Sequence, residues 1–103
     1  MIRGTTPTLS FKLPFSVDSV SAMWVTISQN GIPVITKTLS DVIVDEADDK
    51  KISYKMTQFE TLRLSAQYPA QIQIRAKLIE NNDAVASGIV DIPVSSILKD
   101  GII

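Results

Sequence analysis

Four carboxylates fall within five positions, at Asp45, Glu46, Asp48 and Asp49, and hard oxygen ligands at that density are what a calcium ion takes. The rest of a calcium loop is missing. No glycine turns the segment, no glutamate closes it at the required distance, and Lys50 and Lys51 oppose a bound cation, so the pattern reads as a solvated loop. The other acids, from Asp18 to Asp100, stand mostly beside turns and strand ends, where carboxylates cap the backbone or face solvent. Two of them would do acid–base chemistry only by sharing a cleft. Ser95 and Lys99 make a Ser-x-x-Lys spacing in the terminal segment, a four-residue match without its usual surroundings. The chain has neither histidine nor cysteine. It therefore has no nitrogen or sulfur zinc ligands, no thiolate nucleophile, no imidazole base and no disulfide. With no glycine-rich phosphate loop either, the sequence predicts no enzyme, no metal and no cofactor.

Contact, rather than chemistry, is what the remaining candidates offer. Trp24 alternates against Met23, Val25 and Ile27, so it lies on the outer surface of its sheet or beneath a second layer. It either packs at the edge of the core, or anchors a partner or stacks on a sugar. The segment Val94 to Ile103 carries Ile97, Leu98, Ile102 and Ile103, and such side chains are normally covered by something. Either the chain's own sandwich or a neighbouring molecule covers them. Trp24 and these four residues are the candidate partner contacts.

The elements that position these residues follow from period-two alternation, since successive residues of a strand face opposite sides of a sheet. Leu9, Phe11 and Leu13 alternate with polar neighbours until Pro14 ends the run. Met23, Val25 and Ile27 form a second strand that leads into Asn30-Gly31, a pair suited to the positive φ angles of a tight hairpin. Ile32 to Leu39 returns from it, and Asp41 to Val44 is a short strand ahead of the acidic loop. Ile52, Tyr54 and Met56 follow, then a capping box from Thr57 to Glu60 that predicts one helical turn. Ala70 to Leu78 alternates most regularly, and Ala84 to Val94 returns beyond the turn cluster Asn81-Asn82-Asp83.

The chain of 103 residues reads as one domain, 1–103, with residues 95–103 as an apolar tail. The expected fold is all-β, an immunoglobulin-like antiparallel β-sandwich of about seven strands with one short helical turn. A net charge of −1 gives no basic face for nucleic acid. No apolar run approaches the roughly 20 residues of a membrane span. The opening residues lack a secretory signal pattern, which fits synthesis in a reducing cytoplasm.

The order of these pieces resembles the small β-sandwich structural and adaptor proteins of tailed bacteriophages and prophages. The segment Met1-Ile2-Arg3-Gly4-Thr5-Thr6-Pro7-Thr8, followed by Leu9-Ser10-Phe11-Lys12-Leu13-Pro14-Phe15, is similar to the opening of short proteins from Firmicutes-type phages. Val25 to Gly31 with Ile35-Thr36-Lys37 follows, then Ile52 to Leu62, Ala70 to Ala76 and the strand through Val94. The strand ending in Thr57-Gln58-Phe59-Glu60-Thr61, a short turn and a long alternating strand are similar to the N-terminal adaptor domain of phage baseplate upper proteins. The resemblance implies a virion structural or adaptor protein, made in the bacterial host cytoplasm. Its partners would be itself, as a homo-oligomer, and capsid, tail, baseplate or head-fibre proteins, and no catalytic residue is implied. The alternative is a small carbohydrate- or ligand-binding β-sandwich, which requires Trp24 to share an exposed face with Tyr54 or Tyr68.

Overall fold

Residues 70–78 show most plainly how alternation builds this molecule: Ala70, Ile72, Ile74 and Ala76 are buried, while Arg75 and Lys77, of the opposite parity, are exposed. The computed structural model describes residues 1–103. Its strands are β1 (Thr8–Lys12), β2 (Val20–Gln29), β3 (Ile32–Thr38), β4 (Ile43–Val44), β5 (Lys51–Lys55), β6 (Ala70–Leu78), β7 (Ala84–Ala86) and β8 (Val90–Ile92). One helical turn, α1 (Gln58–Leu62), joins β5 to β6. The strands form two antiparallel sheets, ordered β1-β5-β4 and β3-β2-β6-β7, with β8 also paired to β6. Because β7 and β8 lie along the same side of β6, the eight segments fill seven strand positions. The two orders match the B-E-D and C′-C-F-G sheets of an immunoglobulin-type sandwich. No strand lies outside β1, where strand A of that arrangement runs; instead the chain start pairs at Ile2 with Ser95 in a parallel bridge.

The core lies between the sheets. Met23, Val25, Ile27, Ile35, Ile72 and Ile74 enter it from one layer and Ile52 and Tyr54 from the other. Full burial of each large aliphatic side chain is worth about 1.5–3 kcal/mol, which sets the register firmly on the inner faces. Asn30 and Gly31 have φ of 51° and 76°, the two left-handed residues of a type I′ hairpin turn, so β2 and β3 meet as their sequence predicts. Next to that turn Val34 is an extra residue on β3, a bulge between the pairs Ile27–Ile35 and Ser28–Pro33. Its carbonyl accepts a 2.7 Å hydrogen bond from Arg63 Nη2. Buried Gln29 ties the same end of the sheet to the β5–β6 connection, donating to the Ser65 and Tyr68 carbonyls and accepting from the Ser65 N–H.

The structure departs from the sequence reading in two places. Residues 84–94 do not run as one strand. The register passes from Arg75–Ala86 to Ile72–Val90, which leaves one extra residue on the outer strand. There the Ser87 hydroxyl accepts the Ile74 N–H at 3.0 Å while the Ser87 N–H donates to the Ile74 carbonyl at 2.8 Å. A side-chain oxygen thus replaces a ladder carbonyl and the strand splits. Asp41 also lies outside any strand: its carboxylate accepts the Thr38 N–H at 2.8 Å and caps a short 3-10 turn before β4.

Candidate functional site

The apolar tail is held in place without being covered. Arg3 donates from Nε and Nη2 to the carbonyls of Leu64 and Leu62, at 2.7 and 2.9 Å, where α1 ends and leaves acceptors free. The same guanidinium grips the Asp100 carboxylate through Nη1 at 2.9 Å and Nη2 at 3.3 Å. Further on, the Gln58 amide and the Ile103 backbone exchange two hydrogen bonds of 3.1 and 2.8 Å. Ile97 is half-buried, and its Cδ1 lies close enough to Gly4 that a Cβ there would come within 3.0 Å. Leu98 and Ile103 are fully exposed, and Ile102 is 64% exposed. Ile102 faces α1 across a groove of about 410 Å³ that Thr6, Met56 and Phe59 also line. Phe59 is 62% exposed. It belongs to this surface, and nothing in the sequence separates it from Glu60 and Thr61 of the same turn, which are buried.

Trp24 lies on the outer face of the β3-β2-β6-β7 sheet, 52% exposed, with the Arg75 guanidinium over its ring at 5.4 Å. The structure does not bring the other aromatics to it. Tyr54 points into the core. Tyr68 lies in the bend before β6, beyond Ala70, which is itself about 16 Å along the strand from the level of Trp24 at 3.3 Å per residue. The stacking platform of several aromatics expected for a sugar-binding module is not formed by these three residues.

Tyr54 instead belongs to a polar network that joins the two sheets to α1. The Glu60 carboxylate accepts from Lys37 Nζ on β3 at 2.7 Å, from the Tyr54 hydroxyl on β5, and from the N–H of Thr57 at 2.9 Å, completing the capping box. Burial pushes the Glu60 carboxyl up, but the hydrogen bonds from Lys37, Tyr54 and Thr57 outweigh it and hold the group at about 2. Burial and the hydrogen bond to Glu60 push the Tyr54 phenol up to about 12, against the lowering effect of Lys37. The hydrogen bond to Glu60 raises the Lys37 ammonium above its ordinary value. Both partners of an acid–base pair are therefore tuned away from neutral pH, the reverse of what proton transfer needs. No buried side-chain polar atom is left without a partner, and the network acts as a cross-brace.

In the acidic loop, Asp45 and Asp48 turn back to accept the N–H groups of Ala47 and Lys50 at 2.8 and 3.0 Å, and Asp49 accepts the Ser16 hydroxyl at 2.5 Å. No three acidic side chains of the molecule converge on a metal-sized site. No hydrogen bond joins Ser95 to Lys99; Ser95 pairs through its backbone with Met1 and Arg3. No helix is long and apolar enough to cross a membrane. The uncovered flank of β1 faces β8 across a seam of about 520 Å³ lined by Leu9, Phe11, Ile74, Ile89, Val90 and Ile92. No protein-family model matches the chain, and no curated protein matches it either.

Proposed function

We propose that this chain is a non-enzymatic structural or adaptor module of a phage particle, made in the bacterial cytoplasm, that docks onto itself or onto a capsid, tail or fibre protein. The observation that carries the reading is the fixed and uncovered apolar surface of Leu98, Ile102, Ile103 and Phe59. The Arg3–Asp100 ion pair and the Gln58–Ile103 hydrogen bonds anchor the segment at Asp100 and Ile103. Exposed apolar side chains on an anchored segment lose little conformational freedom when a partner covers them. The open edge of β1 adds unpaired backbone groups to which an extended segment could pair. The phage assignment is supported by the resemblance of the opening residues and of the strand–turn–strand pattern around Glu60.

Light scattering of the wild type over a range of concentrations, beside the Leu98→Ser, Ile103→Ser double variant, tests the docking. A defined wild-type oligomer that falls to monomer in the variant, with thermal unfolding unchanged, is the expected result. An oligomer that survives both changes removes the tail from the reading. For the particle assignment, the chain should be found at fixed stoichiometry in purified virions from a producing host; its absence from them removes that assignment.

A further inference from the structure

Trp24 and Arg75 are direct cross-strand neighbours, and on the same outward face Lys77 stands opposite Ala84 on β7 and beside Ala22 on β2. The alanines leave a shallow concavity of about 210 Å³ between the indole and the two cations. The Arg75 guanidinium lies over the Trp24 ring at 5.4 Å and belongs to neither ion pair of the molecule, so its N–H groups are open to a carboxylate, which arginine takes with two parallel hydrogen bonds. Both ion pairs of the molecule lie elsewhere, at Arg3 and Lys37. Glu80 and Asp83, in the turn between β6 and β7, do not reach Arg75 or Lys77. A guanidinium, a second cation and an alanine floor thus face solvent with no ion-pair partner.

The carboxylates that complement this face are in the chain itself. In the loop joining β4 to β5, Asp45 and Asp48 each use one oxygen for a hydrogen bond within the loop, Asp49 uses one for the Ser16 hydroxyl, and Glu46 makes no side-chain hydrogen bond or ion pair. Lys50 and Lys51 leave the segment 45–51 with a net negative charge. This loop belongs to the opposite sheet, so the two surfaces do not meet within one molecule. We propose that the concavity of Trp24, Arg75 and Lys77 binds the acidic loop of a second copy of this chain, with Glu46 seated against Arg75. The inference rests on the self-docking reading and supplies a contact for it. Because loop and concavity are different surfaces, the contact is head-to-tail and closes into a ring or continues as a filament. Exposed charges of this kind also make it salt-sensitive.

Trp24 is the only tryptophan, so its fluorescence reports on the site directly. Sedimentation and Trp24 emission should be followed against concentration at low and high salt for three proteins: the wild type, Arg75→Glu with Lys77→Glu, and Glu46→Lys with Ala47→Lys. The wild type should associate at low salt with a change in emission. Each variant alone should associate at least tenfold more weakly, and an equimolar mixture of the two variants should recover assembly. Wild type that stays monomeric at low salt, variants that associate like wild type, or a mixture that recovers nothing would each overturn the proposal. The tail variant separates this contact from the apolar one. Assembly lost with Leu98→Ser, Ile103→Ser but kept in both charge variants overturns the inference and leaves apolar docking standing; the opposite pattern supports the inference and removes the tail.

Discussion

Replacing Glu60 with Gln isolates the charge of the cross-brace, because glutamine also fits the N3 position of a capping box and the Thr57 contacts survive. Moving the carboxyl from 4.5 in the unfolded chain to about 2 in the fold is worth about 3 kcal/mol at neutral pH. The sign follows from the depressed value: this contribution is complete above pH 4.5 and is lost as pH falls through 2. Glu60→Gln should therefore cost on the order of 2–3 kcal/mol at pH 7, since Lys37 keeps some access to water and is not left wholly desolvated. For a chain of 103 residues that lowers the melting temperature by roughly 10 °C or more. Tyr54, at about 12 instead of 10, and Lys37 with its raised value act on the alkaline side, where stability present below pH 10 is lost as pH rises through 12. Urea unfolding followed by far-UV circular dichroism from pH 2 to pH 7 measures the acid limb. The gap between wild type and variant should close toward pH 2. A gap that is equally wide at pH 2 and pH 7, or no gap at pH 7, refutes the electrostatic account of the brace.

Ser87→Ala leaves the Ile74 N–H without its acceptor and should cost about 1–2 kcal/mol, with hydrogen exchange at Ile74 faster than at its β6 neighbours. Arg3→Ala removes both the Asp100 pair and the caps on the Leu62 and Leu64 carbonyls. The tail amides from Ile97 to Ile103 should then exchange faster while those of β2 and β6 stay protected; equal rates across the molecule in both proteins would show that Arg3 does not hold the tail.

What the sequence revealed and what it concealed divide along a physical line. Asn30-Gly31, the capping box at Thr57 and the alternation of residues 70–78 were legible because each depends on the φ angles, hydrogen bonds or facing of residues close in sequence. The partners across long connections were not. Lys37 shares the inward parity of Ile35 on β3, but the bulge at Val34 resets the alternation there, and no local rule pairs it with Glu60 twenty-three residues on. Trp24 and Arg75 meet because the β2–β6 register places them opposite each other, and that register is set by the packing of the whole inner face. The break at Ser87 was hidden for a similar reason, since a serine hydroxyl can stand in for a carbonyl only where a strand edge presents an N–H to it.

The four sheet edges are managed unequally, and the inequality bears on where a partner would enter. An open strand edge invites pairing, and proteins blunt it with prolines, bulges, inward charges or brevity. On β3 there are Pro33, the Val34 bulge with its carbonyl taken by Arg63, and the inward Lys37. Elsewhere β4 is two residues long, and β7 and β8 are interrupted at Ser87. Strand β1 has no proline, bulge or inward charge, and only Lys12 at its end is charged. Its five residues run unbroken in register with β5, and the outer flank opens on the apolar seam shared with Ile89 and Val90. Three protected edges beside one unprotected edge argue against general indifference to strand pairing. They single out β1 as the edge whose backbone groups are left open.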